Sequence, residues 1–592
     1  MINQENILAI IELIKKCNEC AVFHFNNMSK ISYKNDFSPV TNGDIEVSKI
    51  AVAGLNNIFP NTTIISEETF KSQHNFDLNN DFWLIDPIDG TKEYINGSPN
   101  FTVNFALIKN YSSVFGIISQ PLTGKIWFNY NNKAFRLDKN KNFTQAKQIN
   151  CNNLNYKQIK TLSSLSHRTK DLENWINLVN PKLQKNIGSS IKFCLLAEGI
   201  ADLYPRNSPT MEWDIAAGHS ILRAAGGNIL TESGMEVKYG KANFKNKNFL
   251  AHGKLSKRLP SYFLIGLQDF NQIKYFDDMF AAVKAIEDNK LVAFPTETVY
   301  GIGAIGNNIS AIKSIYSAKN RPSNNPLIAH TFKKSIAEKL VYFTKLAHLL
   351  TDKFWPGPLT IILQTKNTKL SNSLSQGKST LAFRVPSHPV ALDLLEKVKV
   401  PILAPSANKS GGVSPTSAVH VKEDFGPNFK GKNWELVSIL DYGTSEVGIE
   451  STVVDCRGDN PIILRHGSVT SKMIYDVTKK EVLTLGKVTK LISPGLLTSH
   501  YSPKAKVLLN QNKKIKDSGW LNFGKISKSL QNQENVFNLS DERNLIQAAE
   551  LLYSGLRFLD SQGVNVIQVM PIPKIGLGIA INDRLSRASS KD

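Results

Sequence analysis

Acidic side chains cluster around three segments of the N-terminal sequence, which are SEET (66–69), WLIDPIDGTKEY (83–94) and MEWDIAAGHSILRAAGG (211–227). These acidic residues are Glu67, Glu68, Asp86, Asp89 and Asp214. The first two segments follow or contain apolar strands, with a break predicted at Pro87 and Gly90, and the third begins a helix. Converging carboxylates are unfavourable unless a cation lies between them, and ligands that are all oxygen suit Mg²⁺. Each segment alone is more often a turn or a helix cap, but together they predict a metal site.

A second set of polar segments lies further along the chain. KLVAFPTETVYGIGAIG (290–306) predicts a strand followed by a turn rich in Thr and Gly, without the spacing of a Walker-type phosphate loop. In YSAKNRPSNNPLIAH (316–330), Pro322 predicts extended chain before it. Lys319 and Arg321 would then lie on one side of that chain and grip an anion, whereas the alternative is a solvated basic loop.

Small, polar and glycine residues also follow apolar stretches in five later segments. These are FWPGPLT (354–360), TLAFRVPSHP (380–389), LAPSANKSGGVSPT (403–416), VGIESTVVD (447–455) and ILRHGS (463–468). The pattern predicts the rim of a pocket with many backbone donors. Neither a Cys/His cluster nor a Ser-His-Asp order emerges, so zinc or covalent chemistry is unsupported.

The composition describes the kind of chain that must position these residues. It has 592 residues, 41% hydrophobic and 20% charged, which is typical of a globular protein of roughly four structural units. Five cysteines exclude a disulfide scaffold, and CNEC (17–20) is interpreted as packing on an amphipathic first helix. No apolar run reaches the roughly 18 residues of a membrane span, and the N-terminus does not resemble a signal peptide. We therefore expect a cytoplasmic protein without membrane contact. The net charge of +21 suits nucleic acid or phosphorylated ligands, or simply a Lys-rich surface.

Breaks near residue 270 and around 476–504 suggest the domain organisation. The predicted units are a first domain at 1–268, a second at 273–475, a linker at 476–504 and a small third domain at 505–592. The last unit should begin with a strand in AKVLL and contain a helix at 543–561.

The N-terminal segments together resemble the inositol-monophosphatase-like superfamily of Mg²⁺-dependent, lithium-sensitive phosphatases, over about residues 1–265. The resemblance is carried by Glu67-Glu68, by Asp86 to Thr91, by Trp213-Asp214 and by Gly226-Gly227. KNDFSPVTNGD (34–44), DGTKEY and GSSIKFCLLAEGIADLYPR (188–206) are most similar to the 3'(2'),5'-bisphosphate nucleotidases. Gly43 stands where the family usually has Ala.

This resemblance implies a role for each matching residue. Two or more Mg²⁺ ions would be held by Glu67, Asp86, Asp89, Asp214 and the carbonyl of Ile88. The implied catalytic residues are Asp36, Thr91 and Asp89, with Asp36 and Thr91 acting on the attacking water. The implied substrate contacts are Glu67, Gly90, Thr91, Glu198, Arg206 and Asp214. Tyr204 would lie beside them, and the alternative for Glu198 and Arg206 is a structural ion pair.

The later segments closely resemble the threonylcarbamoyladenylate synthase family, with its YrdC-like domain, over about residues 273–475. The resemblance continues through SPGLLTSHYSP (493–503) and AINDRLSRAS (580–589), which marks the longer form of the synthase. The family makes threonylcarbamoyl-AMP and pyrophosphate from L-threonine, bicarbonate and ATP for a tRNA modification. The resemblance implies an L-threonine site at Thr298, His330, Arg384, Ala404 and Ser451. It implies an ATP site, with Mg²⁺, at Lys319, Arg321, Asn325, Thr380, Ser406, Asn408, Ser414, Arg465 and His500.

The sequence thus predicts an α/β and α+β multidomain chain. A layered α/β phosphatase fold would precede a YrdC-like α/β domain and a small α/β C-terminal domain. We expect a bifunctional enzyme that hydrolyses the 3'-phosphate of adenosine 3',5'-bisphosphate and makes threonylcarbamoyl-AMP. The alternative is an inositol or sugar phosphatase fused to an RNA-binding YrdC-like module without catalysis. Contact with tRNA or its modification machinery is a further expectation, as is a linker that closes over the nucleotide.

Overall fold

Nine stretches of the chain are described by the computed structural model. They are residues 2–27, 31–34, 39–70, 80–165, 169–267, 271–426, 429–484, 501–531 and 533–590. The chain forms two compact units, residues 1–232 with 236–270 and residues 233–235 with 271–592. Among the described helices, none has the length and apolar character needed to cross a membrane.

The first unit alternates helices and sheets. Its helices are α1 (Gln4–Asn26), α2 (Asn42–Ile58), α3 (Thr91–Ile95), α4 (Lys170–Val179), α5 (Ile191–Ala197), α6 (Glu212–Ala224) and α7 (Tyr262–Ile265). Its first strands are β1 (Ile31–Tyr33), β2 (Pro39–Thr41), β3 (Thr63–Ser66), β4 (Phe82–Asp89), β5 (Thr102–Lys109), β6 (Ser112–Gln120), β7 (Lys125–Tyr130), β8 (Lys133–Leu137) and β9 (Lys147–Ile149). The others are β10 (Lys160–Ser163), β11 (Leu183–Asn186), β12 (Leu203–Arg206), β13 (Thr210–Met211), β14 (Asn228–Thr231), β15 (Lys245–Asn246) and β16 (Phe249–His252).

Two sheets form the framework of this unit. One has seven strands in the order β3-β4-β5-β6-β7-β8-β9, and the other has five in the order β11-β10-β12-β16-β14. Helices α5 and α6 share one buried apolar cluster with both sheets, while α1 and α2 pack on the seven-stranded sheet in a second cluster. Helices α4 and α7 pack with the five-stranded sheet in a third. The predicted layered α/β fold is confirmed.

Two local predictions in this unit have different outcomes. The amphipathic first helix is confirmed, since the side chains of Ile7, Ile10 and Ile14 are fully buried in α1. The predicted break at Pro87 is wrong, because β4 continues through it to Asp89. The register against β5 shifts between Asp86 and Asp89, and such a bulge accommodates a proline that cannot donate to the ladder.

The second unit is also a mixture of helices and strands. Its helices are α8 (Gln272–Glu287), α9 (Ile309–Lys319), α10 (Lys334–Leu340), α11 (Lys345–Phe354), α12 (Lys369–Ser375), α13 (Pro389–Val398), α14 (Ala418–Phe425), α15 (Ser471–Thr478), α16 (Leu545–Ser561) and α17 (Leu577–Ser589). Its first strands are β17 (Leu291–Phe294), β18 (Gly301–Ile305), β19 (Ile328–His330), β20 (Leu359–Gln364), β21 (Thr380–Arg384), β22 (Ile402–Leu403), β23 (Lys430–Gly431) and β24 (Trp434–Ile439). The others are β25 (Thr452–Asp455), β26 (Ile462–Arg465), β27 (Leu483–Thr484), β28 (Lys506–Leu508), β29 (Gly519–Asn522), β30 (Val536–Asn538) and β31 (Val566–Val569).

A mixed sheet of eleven strands runs in the order β23-β24-β17-β18-β22-β19-β21-β20-β25-β26-β27. The C-terminal segment adds a separate parallel sheet in the order β28-β31-β29-β30, which packs with α16 and α17 in one apolar cluster. Strand β28 and helix α16 confirm the strand and the helix predicted for this segment.

The prediction of extended chain is wrong for Lys319, whereas Arg321 lies outside the helix. Lys319 is the last residue of α9, and Asn320 ends that helix in the left-handed conformation with a φ of 52°. A left-handed residue followed closely by Pro322 is a common way for a helix to end.

Candidate active sites

The carboxylates of Glu67, Asp86 and Asp214 converge in the first unit. Their oxygen atoms lie within 4.8 Å of one another. Glu67 follows β3 and its backbone N–H donates to Ile85 on the parallel strand β4, at 3.1 Å, which places it beside Asp86. Asp214 enters from the first turn of α6, where one of its oxygens accepts the backbone N–H of Met211 at 2.9 Å. The side chain is therefore a helix cap with a second oxygen available to a ligand.

Burial and the repulsion between like charges make the ionised state of this carboxylate cluster unfavourable when no cation is bound. Burial, then Glu67, Asp89 and Asp214, raise the pKa of Asp86 well above its usual range. Burial followed by Asp89 and Glu67 does the same to the pKa of Asp214. Burial raises the pKa of Asp89 to about 6, against the opposing effect of Lys192.

The donor set fits a hard divalent cation. It consists of oxygen atoms, and Asp86 Oδ1 is buried and accepts no hydrogen bond from the described residues. Such an atom is the kind of ligand that Mg²⁺ takes in proteins. The carbonyl of Ile88 accepts the Thr91 hydroxyl at 3.1 Å.

Thr91 pairs with a residue that the sequence prediction did not include. Its hydroxyl lies 3.3 Å from Asp44 Oδ1, and Asp36, predicted as its partner, lies outside the described residues. The other oxygen of Asp44 accepts the backbone N–H and the hydroxyl of Thr41, at 2.8 and 2.6 Å. This capping box at the start of α2 fixes the carboxylate. Burial raises the pKa of Asp44.

Lys34 is a further charged neighbour of the cluster that sequence reasoning missed. Its Nζ lies 2.7 Å from both Glu67 Oε1 and Glu68 Oε1. Burial lowers the pKa of Lys34, but the two carboxylates outweigh it and raise that pKa. Burial and Glu67 raise the pKa of Glu68 to about 7.

Two cations flank the carboxylates on the side of α5 and β12. Lys192 is buried, donates to the carbonyls of Ile187 and Ser189 at 3.0 and 2.6 Å, and lies over the Tyr204 ring at 5.0 Å. Burial lowers its pKa to about 8, while Asp89 raises it and Arg206 lowers it. Lys192 therefore interacts electrostatically with both Asp89 and Arg206.

Glu198 has partners other than those predicted. Its oxygens accept Trp127 Nε1 at 2.5 Å and Arg136 Nη1 at 2.9 Å. Arg206 instead donates to the carbonyls of Ser208 and Pro209 at 3.2 and 3.3 Å. The structure thus favours a structural ion pair for Glu198, with Arg136 in place of Arg206.

The second unit contains a cavity with an empty volume of about 540 Å³, including the part open to solvent. It gathers all five residues of the implied L-threonine site, Thr298, His330, Arg384, Ala404 and Ser451. From the implied ATP site it gathers Arg321, Ser406 and Arg465, and Tyr501, Glu450 and Thr296 also line it. Lys319, Asn325, Thr380, Asn408 and Ser414 do not line this cavity, and His500 lies outside the described residues.

Arg384 is held in place at the cavity wall by neighbours on two sides. Its Nη1 donates to Thr298 Oγ1 at 2.8 Å, and its Nη2 lies 2.7 Å from Glu297 Oε1. Glu297 is fully buried and also accepts the backbone N–H of Ser387. Burial, then Arg384, lower the pKa of His330 to about 3, so this imidazole is neutral at physiological pH. Sequence reasoning missed Glu297 because its partner is on a distant strand.

Ser451 is fixed by Arg465, which also lines the cavity. Arg465 Nε donates to the Ser451 carbonyl and its Nη2 to the Ser451 hydroxyl, both at 3.1 Å. The same hydroxyl lies 2.8 Å from that of Thr360. The wall therefore presents a guanidinium whose orientation is already set.

Lys319 supports a loop of the cavity and does not line it. Its Nζ donates to the carbonyls of Ser406, at 2.5 Å, and Asn408, and burial lowers its pKa well below the usual range. Ser406 Oγ in turn donates to Asn408 Oδ1 at 2.5 Å. The sequence predicts that Lys319 binds a phosphate, but in the structure it positions the loop that contains Ser406 and Asn408. Arg321, the other residue of that prediction, lines the cavity.

Three families match successive parts of the chain. Residues 3–262 match the "Inositol monophosphatase family", residues 284–467 match the family described as "Telomere recombination", and residues 469–590 match "Threonylcarbamoyl-AMP synthase, C-terminal domain".

Curated relatives cover the two halves separately. Threonylcarbamoyl-AMP synthase of Bacillus subtilis is 36% identical over 326 residues, which are 52% of this chain and 92% of that protein. The 3'(2'),5'-bisphosphate nucleotidase CysQ of Buchnera aphidicola is 35% identical over 250 residues, which are 41% of this chain and 91% of that protein. A crystal structure of P. abyssi Sua5 complexed with L-threonine is 35% identical, with a TM-score of 0.48, covering 54% of this chain and 96% of that one.

Proposed function

The chain belongs to the CysQ-type 3'(2'),5'-bisphosphate nucleotidases through its N-terminal half and to the threonylcarbamoyl-AMP synthases through its C-terminal half, and from this we propose that it is a bifunctional enzyme. Its first unit would release the 3'-phosphate of adenosine 3',5'-bisphosphate, and its second would make threonylcarbamoyl-AMP. The observation that carries the first activity is the convergence of three carboxylates within 4.8 Å. The second rests on one cavity lined by the complete implied threonine set.

In the phosphatase half, Glu67, Asp86 and Asp214 would hold Mg²⁺, and Asp89 supplies a further carboxylate beside them. When bound, Mg²⁺ stabilises the charge that develops on the phosphate oxygens. The Thr91 hydroxyl has one proton, which it can donate either to the carbonyl of Ile88 or to Asp44 Oδ1. When it donates to Asp44, its lone pairs would be left to orient a water. Asp44 would then accept a proton from that water through Thr91.

The two cations of this site, Lys192 and Arg206, favour a substrate with two phosphates. Lys192 and Arg206 interact electrostatically, and in this proposal they would face the substrate and favour a second phosphate. An inositol monophosphate has no second phosphate to occupy this position. A panel that compares phosphate release from adenosine 3',5'-bisphosphate with that from inositol phosphate tests this proposal. Faster release from the inositol ester would contradict the substrate assignment.

In the synthase half, Arg384 would bind the carboxylate of L-threonine, since Thr298 and Glu297 already orient its guanidinium. The amine would take up bicarbonate as a carbamate with loss of water. A carbamate oxygen then bonds to the α-phosphorus of ATP, and pyrophosphate leaves. Arg321 and Arg465 would stabilise the phosphates from the cavity wall.

Pyrophosphate release from ATP that depends on both L-threonine and bicarbonate tests the synthase proposal. A module that only binds RNA would release none. The product would then serve the tRNA modification that the family supports.

A further inference from the structure

Glu450 is a buried carboxylate on the cavity wall that sequence reasoning assigned to neither ligand. Its Oε2 accepts Arg584 Nε at 2.9 Å and the Tyr553 hydroxyl at 2.8 Å. Its Oε1 accepts the Ser414 hydroxyl at 2.5 Å. Arg584 and Tyr553 lie on α17 and α16, so the C-terminal segment supplies two of these three donors.

A second arginine, Arg465, is hydrogen-bonded to the residue next to Glu450. Arg465 lines the cavity and donates two hydrogen bonds to Ser451, the residue after Glu450. Although burial raises the pKa of Glu450, Arg584 and then Arg465 lower it to about 2. Glu450 is therefore ionised and has two arginines within its electrostatic reach, of which Arg584 is hydrogen-bonded to it.

We propose that Arg584 is a positioning residue for nucleotide binding, because it occupies Glu450 and so leaves the charge of Arg465 available to the phosphates of ATP. A buried carboxylate that loses its partner pairs with the nearest remaining cation, since an unpaired charge is strongly unfavourable there. Without Arg584 that cation would be Arg465, which is hydrogen-bonded to the neighbouring Ser451 and also acts electrostatically on Glu450. Its guanidinium would turn from Ser451 to Glu450, and the cavity would lose a positive charge. This inference rests on the proposed synthase function.

The same arginine also contacts a second part of the cavity wall. The guanidinium carbon of Arg584 lies 5.3 Å from the centroid of the Tyr501 ring, and the Tyr553 ring stacks on Tyr501 at 5.7 Å. Tyr501 lines the cavity. Arg584 therefore fixes two wall residues from α17 without itself lining the cavity, which is the arrangement expected of a positioning residue.

The test compares Arg584→Met with Arg557→Met in the full chain. Arg557 on α16 also joins the C-terminal segment to the preceding domain, through Asp424 Oδ2 at 2.5 Å and the carbonyl of Val413, but neither partner lines the cavity. Titration calorimetry with ATP, well below the unfolding temperature, should show the Kd of Arg584→Met raised at least about ten-fold, as expected when a charged contact is lost. Arg557→Met should stay within about two-fold of the wild type.

A double variant separates positioning from general destabilisation. Glu450→Gln combined with Arg584→Met removes the carboxylate that would neutralise Arg465, so it should restore the Kd to within about three-fold of the wild type. The neutral glutamine also avoids an unpaired buried charge, so this variant stays informative if Arg584→Met does not fold.

Equal Kd values for Arg584→Met and Arg557→Met would overturn the inference. So would a folded double variant that binds ATP at least about ten-fold more weakly than the wild type. Failure of the proposed synthase function looks different, because the wild-type chain would then release no pyrophosphate in response to L-threonine.

Discussion

Replacing Asp86 with asparagine should abolish phosphatase activity and at the same time stabilise the metal-free protein. At the 4.8 Å limit that encloses Glu67, Asp86 and Asp214, each like-charged neighbour costs about 3.5 kcal/mol at an effective dielectric constant of about 20. Protonation relieves part of this cost, because burial and these neighbours raise the pKa of Asp86. We therefore expect a net gain of about 2 kcal/mol near neutral pH, or about 4–8 °C in Tm for a unit of this size.

Scanning calorimetry of the full chain in chelator measures this gain. The transition that Mg²⁺ raises in the wild type identifies the first unit. Asp86→Asn should raise that transition in chelator, lose the response to Mg²⁺ and release phosphate about 10³-fold more slowly. The gain should shrink as the pH falls towards 4, since the wild-type carboxyl is then protonated as well. Synthesis of threonylcarbamoyl-AMP should be unchanged.

Asp81→Asn is the matched control, because Asp81 is exposed and pairs only loosely with Lys109 at 3.3 Å. It should change neither the stability in chelator nor phosphate release. Phosphate release by Asp86→Asn near the wild-type rate would show that the metal-site assignment is wrong. A chelated Asp86→Asn that melts no higher than the chelated wild type would refute the electrostatic reasoning.

Four other predictions concern the rest of the chain. Arg384→Lys should raise the KM for L-threonine about a hundred-fold in the pyrophosphate assay while the Kd for ATP stays unchanged, since lysine cannot form the forked contact; a normal KM would exclude the carboxylate role. A fragment of residues 1–268 should fold and hydrolyse its substrate alone, which an inactive fragment would contradict. The pKa of Glu450 is lowered from 4.5 to about 2, so its ionisation should add about 3 kcal/mol to the free energy of unfolding above pH 4.5, and this contribution should be lost as the pH falls towards 2. In urea titrations across this pH range, Glu450→Gln should not show that loss. Replacing Ser499–Ser502 with Gly and Ser should raise the ATP concentration that synthesis requires and let the reactive carbamoyl-adenylate leak into solution. Unchanged steady-state kinetics would indicate that this segment is a simple connector.

Local patterns explain how much of the first site could be predicted. The start of α6 at Asp214 could be predicted from the sequence around it. Asp86 lies within β4, just before the register shift against β5, and the local pattern wrongly predicts a break there. The contact between Thr91 and Asp44 joins residues 47 positions apart. The capping box of α2 fixes Asp44 locally, but it contains no information about the start of α3, where Thr91 lies.

The second site shows the limits of local rules more clearly. Pro322 restricts only the residue before it, so it could not exclude the helix end that carries Lys319. The partner of Glu450 lies 134 residues away on α17, and no pattern around either residue encodes that pairing. Residues that bind ligands share short motifs, whereas residues that position them depend on tertiary contacts.

The central claim is that one polypeptide has two separate active sites. It is tested most directly by measuring both products from single preparations of the wild type, Asp86→Asn and Arg384→Lys: phosphate from adenosine 3',5'-bisphosphate, and pyrophosphate from ATP with L-threonine and bicarbonate. We predict that the wild type makes both products, that Asp86→Asn loses only phosphate release, and that Arg384→Lys at low L-threonine loses only pyrophosphate release. A wild type that lacks either activity, or a single variant that loses both, would contradict the account.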